Sequence, residues 1–378
     1  MSSHTKMNND IGPRLWTHEP PSREVVQALG RLARNPDIAV VAAMPDVHLA
    51  KAVCVGAVVG TQRRLFPDAV GGDIGCGMAA LAFDAAADVL SCQTMAARVL
   101  TMLGETIPTT SHRSSGAALP VDLANRRLSD KSLERKKQSI GRVQFATLGR
   151  GNHFVEFQRD TEGGLWLMLH SGSRGMGQAI RDHHGGCDGA LASILASSKE
   201  GQDYLHDLGW ALDYARQSRR RMSEAIAAQL QALTGVSPIW DRYFDCHHNA
   251  VRQEQHEGRS LWVHRKGAIS AQKGEPGIIP GSMGSSSFHV AGRGEPSSLC
   301  SSSHGAGRVL SRTEARRSIT AKSLSEQMRG IWFDHRIARR LCDEAPSAYK
   351  DIGNVMRAQR TLTRIVRKLE PMLVYKGT

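Results

Sequence analysis

The chain has 378 residues, 40% of them hydrophobic, which suits either one large domain or two to three ordinary ones. Lys and Arg total 49 against 36 Asp and Glu, a net charge of +13 that favours polyanionic partners, nucleic acid first among them. Aromatic residues make up only 5%, which argues against a base-stacking platform and leaves phosphate contacts to dominate any such binding.

In chain order, residues 1–37 read as a polar lead-in without the apolar core of a secretory signal, so a cytoplasmic address is expected. No apolar run is long enough to span a bilayer. Residues 38–61 are strand-like, with short Val/Ala runs broken by Gly and Pro. Residues 84–103 read as a helix starting near Asp84 or Asp88. Residues 142–158 and 164–177 read as two strands, each with a glycine-rich loop carrying a histidine. A long helical block is expected over 188–234, with Gly235 as its stop. Within it, "RQSRRRM" (216–222) reads as a solvated helix face, and just before it His183 and His184 read as loop. Strands and Gly/Ser-rich loops return over 236–310, and Arg-rich helices are expected over 312–370. Without regular βαβ alternation the pattern points to an α+β fold.

Seven cysteines (54, 76, 92, 187, 246, 300 and 342) form no CxxC pair, which argues against a disulfide framework and leaves thiols as metal ligands or small buried side chains. Five stretches put a metal-capable side chain beside a glycine-rich or polar turn after a strand-like run. They are "GGDIGCGM" (Asp73, Cys76), "GRGNHFVEF" (His153), "LMLHSGSRG" (His170), "DCHHNAV" (His247, His248) and "CSSSHGAGR" (His304); Asp46 and His48 in "MPDVH" make a sixth. Thiolate plus imidazole suits Zn²⁺, and an added carboxylate with a phosphate-bearing substrate suits Mn²⁺; spacing leaves both open. The loops "HSGSRGMG", "IIPGSMGSSS" and "SSSHGAGR" can present backbone N–H groups to phosphate oxygens, with Arg174, Arg308 and Arg312 placed to grip phosphates.

"MPDVHLAK", "GGDIGCGM", "GRGNHFVEF", "HSGSRGMG", "CHHNAV", "HRKGAISAQKGEPGIIPGSMGSSSF", "SSSHGAGRVLSR", "APSAYKDI" and "VYKG" resemble, in order, the signature blocks of the RtcB-type RNA ligases, from about residue 40 to 377. The resemblance implies a single catalytic domain over 38–378, with long helices, central mixed β-structure and a deep basic cleft. It implies joining of RNA 3′-phosphate or 2′,3′-cyclic phosphate ends to 5′-hydroxyl ends with GTP and two Mn²⁺, through a histidine–GMP intermediate, in RNA repair or tRNA splicing. Carried over by position, Asp73, Cys76, His153, His170 and His248 match the metal ligands, with the sulfur bridging, and His304 matches the nucleophile. Asn152, Glu156 and Asn249 match substrate or guanylate contacts. Pro280, Gly281, Ser282, Met283 and Ser287 match the nucleotide loop, continued by Gly305, Ala306 and Gly307; Tyr349 and Lys376 match guanine contacts. His248 is preferred over His247 because Asn249 must follow the ligand. A monomer, with an archease-like activator as a further partner, belongs to the same expectation.

Ala50, Gly72, Arg150, His264 and Ser302 depart from the family pattern without removing a ligand or the nucleophile. Arg150 lies beside the expected metal and RNA cleft, where it can alter substrate choice, and the departures together lead us to expect a divergent subgroup, a repair ligase for a specific damaged RNA. The competing reading is a metal-dependent RNA phosphoesterase or cyclic phosphodiesterase without ligation, which has no need of His304 as a nucleophile. A non-catalytic RNA-binding relative is the third, disfavoured by the complete ligand set.

Overall fold

The computed structural model describes residues 12–112, 118–185 and 191–377, so Cys187 and the first eleven residues lie outside the described residues. Helix and sheet are mixed, as the α+β expectation requires. The N-terminal elements are strand β1 (Arg14–Leu15), helix α1 (Arg23–Ala33), β2 (Ile38–His48) and β3 (Val55–Thr61). Ser22 caps α1 by accepting the Val25 N–H, and Val25, Leu29 and Leu32 form its buried face. Part of the expected lead-in therefore carries packed structure: β1 pairs with β2 and α1 covers it.

The middle of the chain supplies β4 (Gly77–Ala86), helix α2 (Gln93–Thr106), β5 (Phe154–Asp160), β6 (Gly164–Ser171), α3 (Arg174–His184) and the 36-residue α4 (Lys199–Thr234). Then follow β7 (Pro238–His247), β8 (Asn249–His256), β9 (Arg259–Lys266), β10 (Ala268–Ser270), β11 (Pro276–Ile279), β12 (Ser287–Gly292), β13 (Ser301–Ser303), helix α5 (Arg312–Ser318) and β14 (Thr363–Lys376). One sheet has five strands in the order β1-β2-β3-β9-β8. A second has seven, all antiparallel, in the order β11-β12-β14-β5-β6-β4-β7, and β10 and β13 form a separate pair. Helix α4 packs Met222, Ile226 and Leu230 against Leu167, Leu169 and Phe157 of this second sheet.

Several expected boundaries move. The helix expected from residue 84 starts at Gln93, because β4 runs on to Ala86, paired with β6 and β7, and Cys92 then caps α2 by accepting the Met95 N–H. The strand expected from 142 begins only at Phe154, and the one over 164–177 ends at Ser171. His183 and His184 close α3 instead of lying in a loop, and His184 is buried against Asp207 at 2.8 Å. The last segment expected to be helical, 363–370, opens a 14-residue strand. Pro371 cannot continue a helix, and in β14 it is tolerated at a register shift between Pro371 and Leu373.

The run at 216–222 is also corrected: Ser218, Arg219 and Met222 are buried, and the arginine is the telling one. Arg219 points inward and is fully buried. It grips Asp245 at 2.6 and 2.8 Å and donates to the Gly75 and Ser171 carbonyls at 2.7 and 2.8 Å. Its neighbours Arg216 and Arg221 stay exposed, as one face of a helix requires. No helix among the described residues is long and apolar enough to cross a membrane.

Candidate active site

Four adjacent strands of the seven-stranded sheet end together, and each carries a metal-capable side chain at that end. Cys76 precedes β4, His153 precedes β5, His170 is the penultimate residue of β6, and His248 follows β7. The register brings them into line: Phe154 pairs with His170, and Gly77 pairs with both Ser171 and His247. Gly77 has no room for a side chain, because a Cβ would collide with the Cys246 carbonyl oxygen. Asp73 joins through a tight turn in which Cys76 N–H donates to the Asp73 carbonyl at 3.0 Å. Gly75 in that turn sits at φ 71°, where a side chain is strained.

The side-chain distances are those of a cluster. Cys76 Sγ lies 3.2 Å from His170 Nε2 and 3.4 Å from His153 Nε2. His170 Nε2 lies 3.1 Å from His248 Nε2, and His153 Nε2 lies 3.0 Å from Asp73 Oδ2. Two overlapping ligand groups result, Cys76–His170–His248 and Asp73–Cys76–His153, with Cys76 common to both. His247, by contrast, faces Arg252 at 3.0 Å. His170 Nδ1 donates to the Asn152 carbonyl at 3.0 Å and His248 Nδ1 faces Asn249 Oδ1 at 3.2 Å, which leaves both Nε2 lone pairs aimed at the cluster.

Burial sets the protonation states. It pushes the Cys76 thiol well above its usual range, with Asp73 adding to the effect. It holds the His170 and His248 imidazoles well below theirs. Burial acts most strongly on Asp73 and raises it, but the hydrogen bond and charge of His153, with Cys76 and Arg174, together outweigh it and the carboxyl titrates below its usual value. Asp73 Oδ1 and His153 Nδ1 are buried with no hydrogen-bond partner. A thiol, a carboxylate and neutral imidazoles around an unsatisfied buried oxygen fit a borderline divalent cation.

His304 lies against the cluster, its ring centroid 4.5 Å from that of His248. Asp46, fully buried on β2, accepts from His304 Nδ1 at 2.6 Å and from its backbone N–H at 3.1 Å. The imidazole is thereby oriented with Nε2 as its free nitrogen.

A cavity of about 280 Å³ opens beside His304. Gly305, Ala306 and Gly307 form one wall, and Pro280, Gly281, Ser282 and Met283 another. Asn152 and Glu156 line it from β5 and its approach, and Tyr349 and Lys376 from the C-terminal segment. Burial drives Glu156 up to about 8. Ser287 and Asn249 stand outside the cavity lining. Ser287 is buried in β12 opposite Leu369. Asn249 ties the metal loops together, donating to the Asp73 carbonyl at 3.0 Å and accepting the Gly267 N–H at 2.8 Å.

One charged residue of the cavity escaped the sequence reading. Glu344 is buried and accepts from Arg312 at 2.6 Å, Tyr349 at 3.0 Å and Lys376, and Arg308 approaches at 3.4 Å. Arg308 also donates to the Asp343 carbonyl at 2.6 Å, and Arg312 to the Asp343 carboxylate at 2.7 Å. Both arginines reach the cavity while bound to carboxylates. Arg174 starts α3 at φ 57°, and its Nε donates to Thr147 Oγ1 at 3.3 Å.

A profile of the tRNA-splicing ligase RtcB family matches residues 28–377. The chain is 36% identical to the RNA-splicing ligase RtcB of Escherichia coli K12, over 96% of this chain and 97% of that one. The chain belongs to the RtcB family. RtcB relatives from further lineages are similar along most of their length. The RNA-splicing ligase RtcB of Mycobacterium tuberculosis is 30% identical over 89% of this chain and 96% of that one. The tRNA-splicing ligase RtcB of Archaeoglobus fulgidus is 27% identical over 94% and 91%. Of the RtcB-type site residues carried over by position, Asp73, Cys76, His153, His170, His248 and His304 converge on one place.

Proposed function

We propose that this chain joins RNA ends carrying a 3′-phosphate or 2′,3′-cyclic phosphate to 5′-hydroxyl ends, using GTP and Mn²⁺ and passing through a histidine–GMP intermediate. Membership of the RtcB family makes it an RNA ligase with RNA as its substrate. The observation that carries the finer reading is His304. It is held by Asp46, stands against the thiol–imidazole cluster, and belongs to the loop that walls the cavity.

With Nδ1–H donated to Asp46, the lone pair of Nε2 is the nucleophile. It attacks the α-phosphorus of GTP, a P–N bond forms, and the P–O bond to pyrophosphate breaks. The phosphoramidate then passes GMP to the RNA 3′-phosphate. The 5′-hydroxyl attacks that activated phosphate and GMP leaves; a cyclic phosphate is first opened by water. Two Mn²⁺ held by Asp73, Cys76, His153, His170 and His248 would neutralise phosphate charge and orient the in-line displacements. Glu156, Tyr349 and Lys376 would meet the guanine base, and Ser282, Met283 and the 305–307 backbone the rest of the nucleotide. Arg174, Arg308 and Arg312 are proposed to hold phosphates, the last two by exchanging carboxylate partners for phosphate oxygens. A groove of about 690 Å³ shares Arg308, Arg312 and Tyr349 with the nucleotide cavity and is our proposed path for RNA, one arm of a basic cleft.

Incubation with α-labelled GTP and Mn²⁺ should place an acid-labile, base-stable label on the protein, and His304→Ala should abolish it. A His304→Ala protein that still labels overturns the nucleophile assignment. A wild-type protein that opens cyclic phosphates but never labels is a phosphodiesterase instead.

A further inference from the structure

His304 reaches the cavity through a turn that its own residues disfavour. Leu299 and Cys300 sit at φ 53° and 45°, in the left-handed region where glycine is the usual occupant. Both are buried. The turn leads into β13, and the residue after β13 is His304. Any shift in the turn moves the imidazole.

Arg265, near the end of β9, holds this turn. It is almost fully buried. Its Nε donates to Ser301 Oγ at 2.9 Å, and one terminal nitrogen donates to the Leu299 carbonyl at 3.0 Å and the Cys300 carbonyl at 3.5 Å. Glu254 fixes the guanidinium from the other side at 2.5 and 3.1 Å and faces His256 at 3.0 Å. Just past the end of β9 comes Gly267, where a Cβ would lie 3.0 Å from His304 Cε1. β10 then pairs with β13, Ala268 opposite Ser303. One short segment thus clamps the turn, backs the imidazole and pairs with the strand that carries it.

We infer that Arg265 is a positioning residue for guanylylation: by clamping the Leu299–Ser301 turn it sets the place of His304. The inference rests on the reading of His304 as the nucleophile. If Arg265 only balanced the buried Glu254, its loss would lower stability without a catalytic signature.

The full-length chain with Mn²⁺ and α-labelled GTP supplies the test, read as single-turnover labelling against GTP concentration, with thermal unfolding measured alongside. Arg265→Met should lower the maximal rate about tenfold to a hundredfold, the scale of a misplaced reacting group. The half-saturating GTP concentration should stay within about twofold, because binding is untouched. Cys300→Gly alone should keep the wild-type rate. Combined with Arg265→Met it should restore most of the loss, since glycine takes this φ without restraint. Ser301→Ala removes one contact, leaves Glu254 paired, and should give a smaller drop of the same kind; it decides the matter if Arg265→Met does not fold. The inference is overturned by a folded Arg265→Met that labels at the wild-type rate, by a loss carried in GTP affinity, or by a loss that Cys300→Gly leaves unrepaired. Absence of label in the wild type overturns the nucleophile reading itself.

Discussion

The strand-end cluster and the network around Glu344 handle charge in opposite ways. At the strand ends, three imidazoles, a thiol and a carboxylate crowd together, and burial keeps His170, His248 and Cys76 neutral. Asp73 Oδ1 there has no partner. Around Glu344, two arginines, a lysine and a tyrosine surround carboxylates that already satisfy them. The first region is built to gain a cation, the second to present cations that are already partnered by carboxylates until another anion competes for them. Burial alone distinguishes neither; the count of satisfied partners does.

The largest effect should come from breaking the first region. Cys76→Ala should lose Mn²⁺ binding by equilibrium dialysis and lower ligation by more than about a hundredfold, with the unfolding midpoint nearly kept. Full ligation in that variant removes Cys76 from the site. Next comes the strut behind the first region, Arg219. Arg219→Met strands Asp245 in the interior and should cost roughly 3–5 kcal/mol in denaturant unfolding. Adding Asp245→Leu should recover much of it; no recovery would mean that the lost contacts to the Gly75 and Ser171 carbonyls dominate.

Glu156 sharpens the comparison by pH. Its carboxyl is raised by burial to about 8 from 4.5, so the folded protein keeps it protonated while the unfolded chain ionises. The associated stability is full below about 4.5 and is lost as pH rises through about 8, with a slope of at most about 1.4 kcal/mol per pH unit. Glu156→Gln should therefore match wild type near pH 4 and exceed it increasingly up to pH 8. A constant difference across that range would assign the effect to packing. The smallest effect belongs to His247→Ala, expected to label with GTP within about twofold of wild type, while the neighbouring His248→Ala loses metal. Equal losses in the two would remove the basis for choosing between them.

The cluster was legible because each ligand sits where a strand-like run meets small or polar residues, and such junctions are local. His304 was legible for the same reason. Glu344 was not: "CDEAPSAY" shows two acids before a proline, and nothing local says that Lys376 and Arg312 will close on one of them. Arg219 was hidden in a run of three arginines that differ only in which face of α4 they take. The strand at 363–376 was misread because Arg and Lys interrupt its alternation, and the pairing with β12 and β5 that makes it a strand is long-range.

By itself the sequence determined which side chains could carry the chemistry, since a thiol, a carboxylate and imidazoles keep their donor character wherever the chain goes. It also determined the turn at Gly75, whose φ of 71° other residues disfavour, and the close approach of Cys246 to Gly77, which leaves no room for a Cβ. Only the tertiary structure decided which of those groups meet. Antiparallel register aligned four strand ends far apart in the chain, Asp46 on the other sheet came to orient His304, and Arg219 was drawn inside. Those outcomes depend on pairing and burial between distant segments, which no local pattern encodes.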